Sequence, residues 1–543
     1  MKLKENSSEQ KLRGAYYTPL KLAESMVKLC VDSEVDSILE PSCGDGVFLD
    51  ALKEEKLLTK VRHITAIEIE KAEAEKVSNN YRMYANVNVS ERDFFEFYNE
   101  ALSKKEQYDL IVGNPPYIRY QYLSEKQREL QADILESHGM KANKLINAWV
   151  AFLVANVQLL SVHGKIAFVI PAEILQVAYA EELRLFLANN LSSITLVTFE
   201  KLVFPDIEQE IVVFIGEKKG KQNGIRIIEM EDLSSLQNVN FDKVKFQPLH
   251  HVKEKWTKYF ITVDELKLIN KIKNDKRFAR FSDYGLINVG ITTGNNSYFS
   301  VTEEVCEEYD LDGVTLPLIG RSSHAHGIYF TNEDWNFNKK NGKSARLLAF
   351  PEEIAFDEYP KLHQEYIRLG ERHGENKGYK CSIRDRWYIV PSVWIPDAFF
   401  LRRNNLYPKF VLNKISAVST DTMHRIKFNL DVKPENLLLA YYNSIAFAFT
   451  EICGRSYGGG VLEILPRELG NIVLPKIKTV DTDLLQEVLK YIDDVIRNDE
   501  DIEKALDVVD EKILVGVLGI DAEWCRMCRN IWRKMQKRRL KRS

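Results

Sequence analysis

Up to about residue 245, short runs of consecutive apolar residues alternate with longer stretches in which apolar positions recur every three or four residues. The runs SILEP (37–41), ITAIEI (64–69), DLIVGN (109–114), KIAFVIP (165–171), ITLVTF (194–199) and IVVFIG (211–216) have strand length and little polar alternation. That pattern belongs to strands buried on both faces. Between them, LINAWVAFLVANVQLL (145–160) places Ile146, Val150, Leu153 and Val157 on one face of a helix. Strands and helices taking turns predict an α/β domain on an open, doubly wound parallel sheet. Ligands of such sheets bind outside the carboxyl ends of the strands.

After about residue 246 the pattern breaks into short mixed segments rich in aromatic residues, with Arg, Lys and Asn in turn-like contexts, up to about 480. From 481 it turns helical: TDLLQEVLKYIDDVIRN has a capping Thr482 and an amphipathic period, and a basic tail follows. Three regions result: 1–245, 246–480 and 481–543. A chain of 543 residues is too long for one core, which agrees with this division. No apolar run has membrane-spanning length and MKLKENSSEQKLRG lacks the apolar stretch of a secretory signal, so a cytoplasmic location is expected. Seven scattered cysteines argue for a reducing compartment and against a disulfide framework. A net charge of -4 does not by itself suggest a nucleic-acid partner, but a groove can be basic while the remaining surface is acidic.

The strand ends carry the chemistry. EPSCGDG (40–46) follows the first strand, and Gly44 and Gly46 permit a tight turn with close backbone approach to a ligand, beside Ser42. Glu68 ends the next strand, where nucleotide-binding βαβ units hold ribose hydroxyls with a carboxylate. ERDFFEF then offers Asp93 and Phe94, an acceptor and a face for an adenine ring. With Glu40, these acids would repel a pyrophosphate. A positively charged nucleoside fits them, and S-adenosylmethionine is one. The fourth strand ends in Asn114-Pro115-Pro116-Tyr117, a loop stiffened by two fixed φ angles. A nucleobase amine is a weak nucleophile because its lone pair is delocalised. The Asn114 side-chain carbonyl and the Pro115 backbone carbonyl can accept its two hydrogens and localise that pair, while Tyr117 gives the base a stacking face.

These motifs resemble the γ class of adenine-N6 DNA methyltransferases, the TaqI-like modification enzymes of restriction–modification systems. GAYYTP (14–19) stands ahead of EPSCGDG as the γ order demands, NPPY resembles the catalytic motif, and NAWVAFL (147–153) and GKIAFVIPAEIL (164–175) resemble the helix and strand beyond it. VFPDIEQEIVVFIG (203–216) resembles the segment whose aromatic, here Phe204, stacks on the flipped base opposite Tyr117. The resemblance implies a doubly wound, Rossmann-like S-adenosylmethionine-dependent domain and a mixed α+β target-recognition domain. It implies S-adenosyl-L-methionine as cofactor, with Tyr17, Thr18 and Phe152 joining the contacts above, and methylation of a flipped-out adenine in a short site of double-stranded DNA. Flipping costs a few kcal/mol, and stacking returns roughly 1–3 kcal/mol per face. The resemblance further implies a monomer and allows a separately encoded cognate restriction endonuclease as partner. The acidic Asp206, Glu208 and Glu210 depart from relatives that place a Lys after the stacking aromatic. A cytosine-N4 enzyme is the nearest rival, although Ser-Pro-Pro-Tyr is more usual there; a DNA-binding protein with an idle methyltransferase fold is another.

Beyond residue 246, CSIRDRWYIV (381–390) and FFLRRNNLYPKF (399–410) interleave cations with aromatics, and Arg384, Arg386, Trp387, Arg402, Arg403 and Lys409 are expected to contact DNA. The tail residues Arg533, Lys534, Lys537, Arg538, Arg539, Lys541 and Arg542 suggest sequence-blind phosphate attraction. No metal site is expected: Cys525 and Cys528 have no second ligand pair at a convincing spacing, and His250-His251 reads as a domain junction. Pro205-Asp206 with Glu217-Lys218-Lys219 loosely mimics a nuclease pattern, but those residues already have a place in the methyltransferase fold, so no cleavage is expected.

Overall fold

Eight strands of the amino-terminal unit share one sheet: β1 (Ser37–Glu40), β2 (His63–Glu68), β3 (Val87–Glu91), β4 (Tyr108–Gly113), β5 (Leu160–Pro171), β6 (Ser193–Phe199), β7 (Ile211–Glu217) and β8 (Gly224–Met230). Their order is β3-β2-β1-β4-β5-β7-β6-β8. The computed structural model describes residues 17–142, 146–201, 203–204, 210–236, 241–251 and 253–541. Strands β1 to β5 pair in parallel. The burial of β1, β4 and the second half of β5 accounts for their unbroken apolar runs. The expected parallel sheet needs one correction. β7 lies antiparallel between β5 and β6, and β8 pairs in parallel with β6. Apolar periodicity records burial and not chain direction, so the reversal left no mark in the pattern.

The longer helices of the unit are α1 (Leu20–Cys30), α2 (Val47–Glu54), α3 (Lys71–Tyr81), α4 (Phe94–Lys104), α5 (Glu125–Ser137), α6 (Ala148–Gln158) and α7 (Glu181–Asn190). Connections run from β1 outward to β2 and β3, and in the other direction through β4 to β5. The strand order reverses between β1 and β4, and in such sheets the crevice outside the carboxyl ends at that point is where ligands bind. α6 corrects the expected amphipathic helix. Every one of its residues except Gln158 is buried, and Ile146 precedes it. A helix apolar all round belongs to the core, not to its rim.

The chain divides into two compact units at Phe260 and Ile261, later than the boundary expected near 246. The second unit, Ile261 to Lys541, is built on a five-stranded sheet in the order Gly285–Val289, Met423–Phe428, Ala398–Leu401, Phe410–Asn413, Tyr329–Phe330. The segment from 481 is not a separate appendage. Helix Ala522–Leu540 packs on the buried helix Ser444–Cys453, with Trp532 edge-on to Phe447 at 5.4 Å between ring centroids. Arg539, 1% exposed, donates to the Glu451 carboxylate at 2.8 Å. Arg529 donates to Ser444 Oγ and to the carboxylates of Glu503, Asp507 and Asp510. The basic tail is therefore partly an internal clamp. Arg538 and Arg539 are buried, while Arg533, Lys534, Lys537 and Lys541 face solvent. Arg542 lies outside the described residues.

Candidate cofactor pocket and catalytic loop

Leaving β1, the chain turns through Ser42 to Gly46 into α2. Gly44 and Gly46 hold φ of +51° and +88°, and a Cβ on Gly46 would stand 3.1 Å from the Val77 side chain. Two bonds pin this turn to the end of β2: Cys43 N–H donates to the Ile67 carbonyl at 2.9 Å, and Gly44 N–H donates to a Glu68 oxygen at 2.7 Å. The other Glu68 oxygen accepts from Glu70 N–H at 2.8 Å. Each oxygen keeps acceptor capacity for an incoming hydroxyl. Asp93 is the N-cap of α4, accepting Phe95 N–H at 2.8 Å and the Gln127 amide at 3.4 Å. The Phe94 and Phe152 rings stack with centroids 4.7 Å apart and planes 20° from parallel.

These groups enclose a cavity of about 930 Å³, near the upper end of small-molecule sites at ~300–1,000 Å³. Tyr17, Thr18, Glu40, Ser42, Gly44, Glu68, Asp93, Phe94, Asn114 and Phe152 all line it. Gly46 does not; it serves the turn behind. The lining also holds Asp45, Glu70 and Glu73, with Arg92 as its cation, and Arg92 donates to Glu100 at 2.8 Å. Glu40 is 2% exposed, and neither carboxylate oxygen has a hydrogen-bond partner. Burial, then the neighbouring Asp45, Glu68 and Asp50 carboxylates, hold its carboxyl well above the usual range. Burial likewise raises Glu68. An unpartnered buried acid beside a flat aromatic wall and two acceptor carboxylates suits a cationic nucleoside. S-adenosylmethionine fits the residues present; a pyrophosphate does not.

Sequence reasoning missed the wall contributed by α5 and its approach, including Tyr122, Leu123, Gln127 and Gln131. The available signal was the capping box Ser124…Gln127, which starts a helix soon after the proline loop.

β4 ends at Gly113, and Asn114-Pro115-Pro116-Tyr117 follows at the switch point. Ser42 Oγ donates to the Asn114 backbone carbonyl at 3.3 Å and so ties the glycine turn to the proline loop. Asn114 and Pro116 line the cavity, whereas Pro115 and Tyr117 do not. Tyr117 is 7% exposed, and its hydroxyl donates to the Val169 carbonyl at 3.0 Å, fixing the ring against β5. Phe204 is buried. Pro205, Asp206 and Glu208 lie outside the described residues, which removes half of the nuclease-like pattern from structural view.

The expected DNA contacts are placed differently from one another. Trp387 is a core residue, 8% exposed, with its ring centroid 4.9 Å from that of Tyr298. An indole among aromatics gains more from burial than from a wet interface, and this placement corrects the expectation of a surface side chain. Arg384 donates to the Thr292 and Trp387 carbonyls, and Arg386 to those of Ile354 and Glu352. Lys409 is half-buried and donates to the Ala325 carbonyl at 3.3 Å. Arg402 bonds Glu463 at 3.0 Å, while Arg403 keeps 71% of its side chain exposed. Cys525 and Cys528 are buried free thiols, and burial pushes Cys525 up to about 12. His251 bonds Asn189 at 2.9 Å. Among the described residues no group of three or more His, Cys, Asp or Glu side chains is placed to hold a metal, and no helix is long and apolar enough to cross a membrane.

Sheet order, switch-point crevice and acidic pocket define the class: an S-adenosylmethionine-dependent methyltransferase fold with a carboxy-terminal mixed unit. Residues 25–204 match the Eco57I restriction-modification methylase family, and residues 253–514 match the C-terminal domain of the type II methyltransferase M.Eco57I. The chain is 25% identical over 500 residues to type II methyltransferase M.AccI of Acinetobacter calcoaceticus, covering 87% of each. It is 30% identical over 233 residues to M.HincII of Haemophilus influenzae, covering 42% of each. The fold superposes on the DNA complex of the type IIL restriction-modification enzyme MmeI with a TM-score of 0.57 and 12% identity, over 98% of this chain and 80% of the other. In chain order, the two matched stretches make this chain similar to Eco57I-like type II restriction–modification methyltransferases.

Proposed function

We propose that the protein methylates the N6 amine of adenine within a short specific site of double-stranded DNA, using S-adenosyl-L-methionine, as the modification enzyme of a type II restriction–modification system. One observation carries the reading. The Asn-Pro-Pro-Tyr loop stands at the topological switch point, tied through Ser42 to an acidic, aromatic-walled pocket. When bound, S-adenosylmethionine would supply an electrophilic methyl group on a positively charged sulfur, the rest of the molecule leaving as the neutral thioether. The side chains do the remainder. Glu40 and Glu68 would favour the cationic nucleoside, Asp93 would accept a hydrogen bond from its exocyclic amine, and Phe94 and Phe152, stacked on each other, would form one wall against its ring. Asn114 Oδ1 and the Pro115 carbonyl accept the two hydrogens of the target amine, drawing its lone pair out of the aromatic system and toward the methyl carbon. One amine proton leaves to solvent. Tyr117 and Phe204 stack on the two faces of the flipped base, and the bond from Tyr117 to Val169 fixes the first of these rings. The loop's rigidity contributes because carbonyls already in place need no reorganisation as charge develops.

The test is incubation of purified protein with S-adenosylmethionine and unmethylated genomic DNA, followed by single-molecule sequencing. N6-methyladenine confined to one recurring motif supports the reading. N4-methylcytosine moves the chemistry to the cytosine amine. No modified base, with the cofactor still bound, overturns it.

A further inference from the structure

Beside the buried Trp387, the second unit exposes side chains that its core does not use. Tyr379 is 74% exposed and Ile383 is 61% exposed, although Cys381 between them is fully buried. Lys377 and Lys380 face solvent beside them. The loop that starts at Ile291 and runs into the helix Asn296–Phe299, ITTGNNS over 291–297, lies against this short helix, Tyr379–Ser382. Gly294 takes φ +88°, and a Cβ there would stand 2.8 Å from Lys380 Cβ and 3.0 Å from Cys381 Sγ, so only glycine permits the approach. Arg384 fastens the loop from its flank, donating to the Thr292 carbonyl at 3.0 Å and the Trp387 carbonyl at 3.3 Å.

The loop is exposed but not loose. Thr293, 1% exposed, donates to Asn296 Oδ1 at 2.6 Å, and Asn296 Nδ2 donates to Asp421 Oδ1 at 3.0 Å. Ser297 Oγ donates to Asn295 Oδ1 at 2.6 Å, and the Asn295 amide donates to Glu375. A carboxamide has two donor hydrogens and two acceptor lone pairs. With these bonds made, solvent-facing Asn296 retains one donor and one acceptor in an orientation set by Thr293 and Asp421. Such a pair matches the N6 and N7 groups of adenine in the major groove, while exposed lysines and a tyrosine suit phosphates and sugars.

We infer that the loop Ile291–Ser297 and the helix Tyr379–Ser382 form one edge that reads duplex DNA, with Asn296 on a purine base edge and Tyr379 and Lys380 on the flanking backbone. This rests on the proposed DNA-methylating function. It turns Arg384 and Trp387 from contacts into the platform beneath the contact, which agrees with their anchoring and burial.

The experiment uses the full chain and unmethylated duplexes containing the target motif or a single replaced base pair. Kd, kcat/KM and cofactor affinity are measured for wild type, Asn296→Ala, Tyr379→Ala and Lys380→Ala. Asn296→Ala is expected to lower kcat/KM on the cognate duplex roughly ten- to hundredfold and to shrink discrimination at one base pair. Tyr379→Ala and Lys380→Ala are expected to weaken cognate and replaced duplexes alike, with discrimination kept and a shallower salt dependence for the lysine variant. Cofactor affinity should be unchanged in all three. Asn296→Ala also removes a bond to Asp421, so the two helix variants test the edge independently of loop packing. Wild-type duplex affinity in both helix variants, with wild-type discrimination in Asn296→Ala, overturns the inference. A wild-type protein that modifies no DNA overturns the proposed function, and this edge with it.

Discussion

Replacing Glu40 by glutamine isolates one consequence of the pocket's charge. The Glu40 carboxyl has no hydrogen-bond partner and lies among other acids, so the empty pocket favours its neutral form. A bound cation reverses that preference. Cofactor binding should therefore release a proton wherever Glu40 starts protonated, and affinity should tighten as pH rises. The limiting slope is about tenfold per pH unit, equivalent to ~1.4 kcal/mol, flattening once the pH passes the raised pKa of the empty site. The glutamine keeps the shape of the side chain but cannot ionise. A charge-assisted contact contributes ~1.5–3 kcal/mol, so Glu40→Gln should bind about 10–100-fold more weakly at alkaline pH and show a flatter pH profile. Stability of the empty protein should move the opposite way. A carboxyl whose folded pKa is raised contributes stability below its unfolded pKa and loses it as pH rises through the folded value. The glutamine variant should accordingly melt higher than wild type at alkaline pH without cofactor. Isothermal titration calorimetry in two buffers of different ionisation enthalpy, across neutral pH, counts the protons. A wild type that releases none, or a glutamine variant that binds as tightly as wild type at alkaline pH, refutes the role given to Glu40.

Asn114→Ala should lower turnover about 10²–10³-fold, the usual loss for one preorganised electrostatic group, while cofactor affinity by calorimetry stays close to wild type. Glu68→Ala should weaken cofactor binding and also lower the melting temperature, because the same carboxylate holds Gly44 N–H and Glu70 N–H; leaving those donors unmet costs ~1–3 kcal/mol each where they are buried. Arg539→Ala strands the buried Glu451 and should cost ~3–5 kcal/mol in denaturant unfolding of the second unit, with cofactor affinity untouched.

The pocket of the first unit was legible because its lining residues sit where secondary structure ends. Pro115 and Pro116 announce the end of β4, Gly44 and Gly46 announce the turn after β1, and strand-terminal Glu68 needs only the strand to be placed. β3 and β8 gave weaker signals. VNVSE is polar at alternate positions, and Arg226 interrupts GIRIIEM. The second unit was less legible for a different reason. Arg384, Arg386 and Trp387 have the composition of a nucleic-acid surface, yet a guanidinium satisfies backbone carbonyls as well as phosphates, and an indole fills a core as well as a groove. Only contacts distant in sequence decide between these uses. The buried half of the last helix was hidden likewise, since a run of arginines does not reveal that Glu451 awaits one of them.

The packing of Ser444–Cys453 on Ala522–Leu540 has a consequence for synthesis. All eight strands of the first unit's sheet are complete by Met230, so that sheet can close while the ribosome is still translating. The second unit has no such order. Phe447 and its neighbours must wait for Trp532, about 85 residues downstream, or roughly 4–17 s at about 5–20 residues per second. During that interval the nascent chain carries a finished methyltransferase sheet joined to an unfinished apolar face. That is where a chaperone would find its hold, and where a premature stop would leave a chain able to bind its cofactor but prone to aggregate.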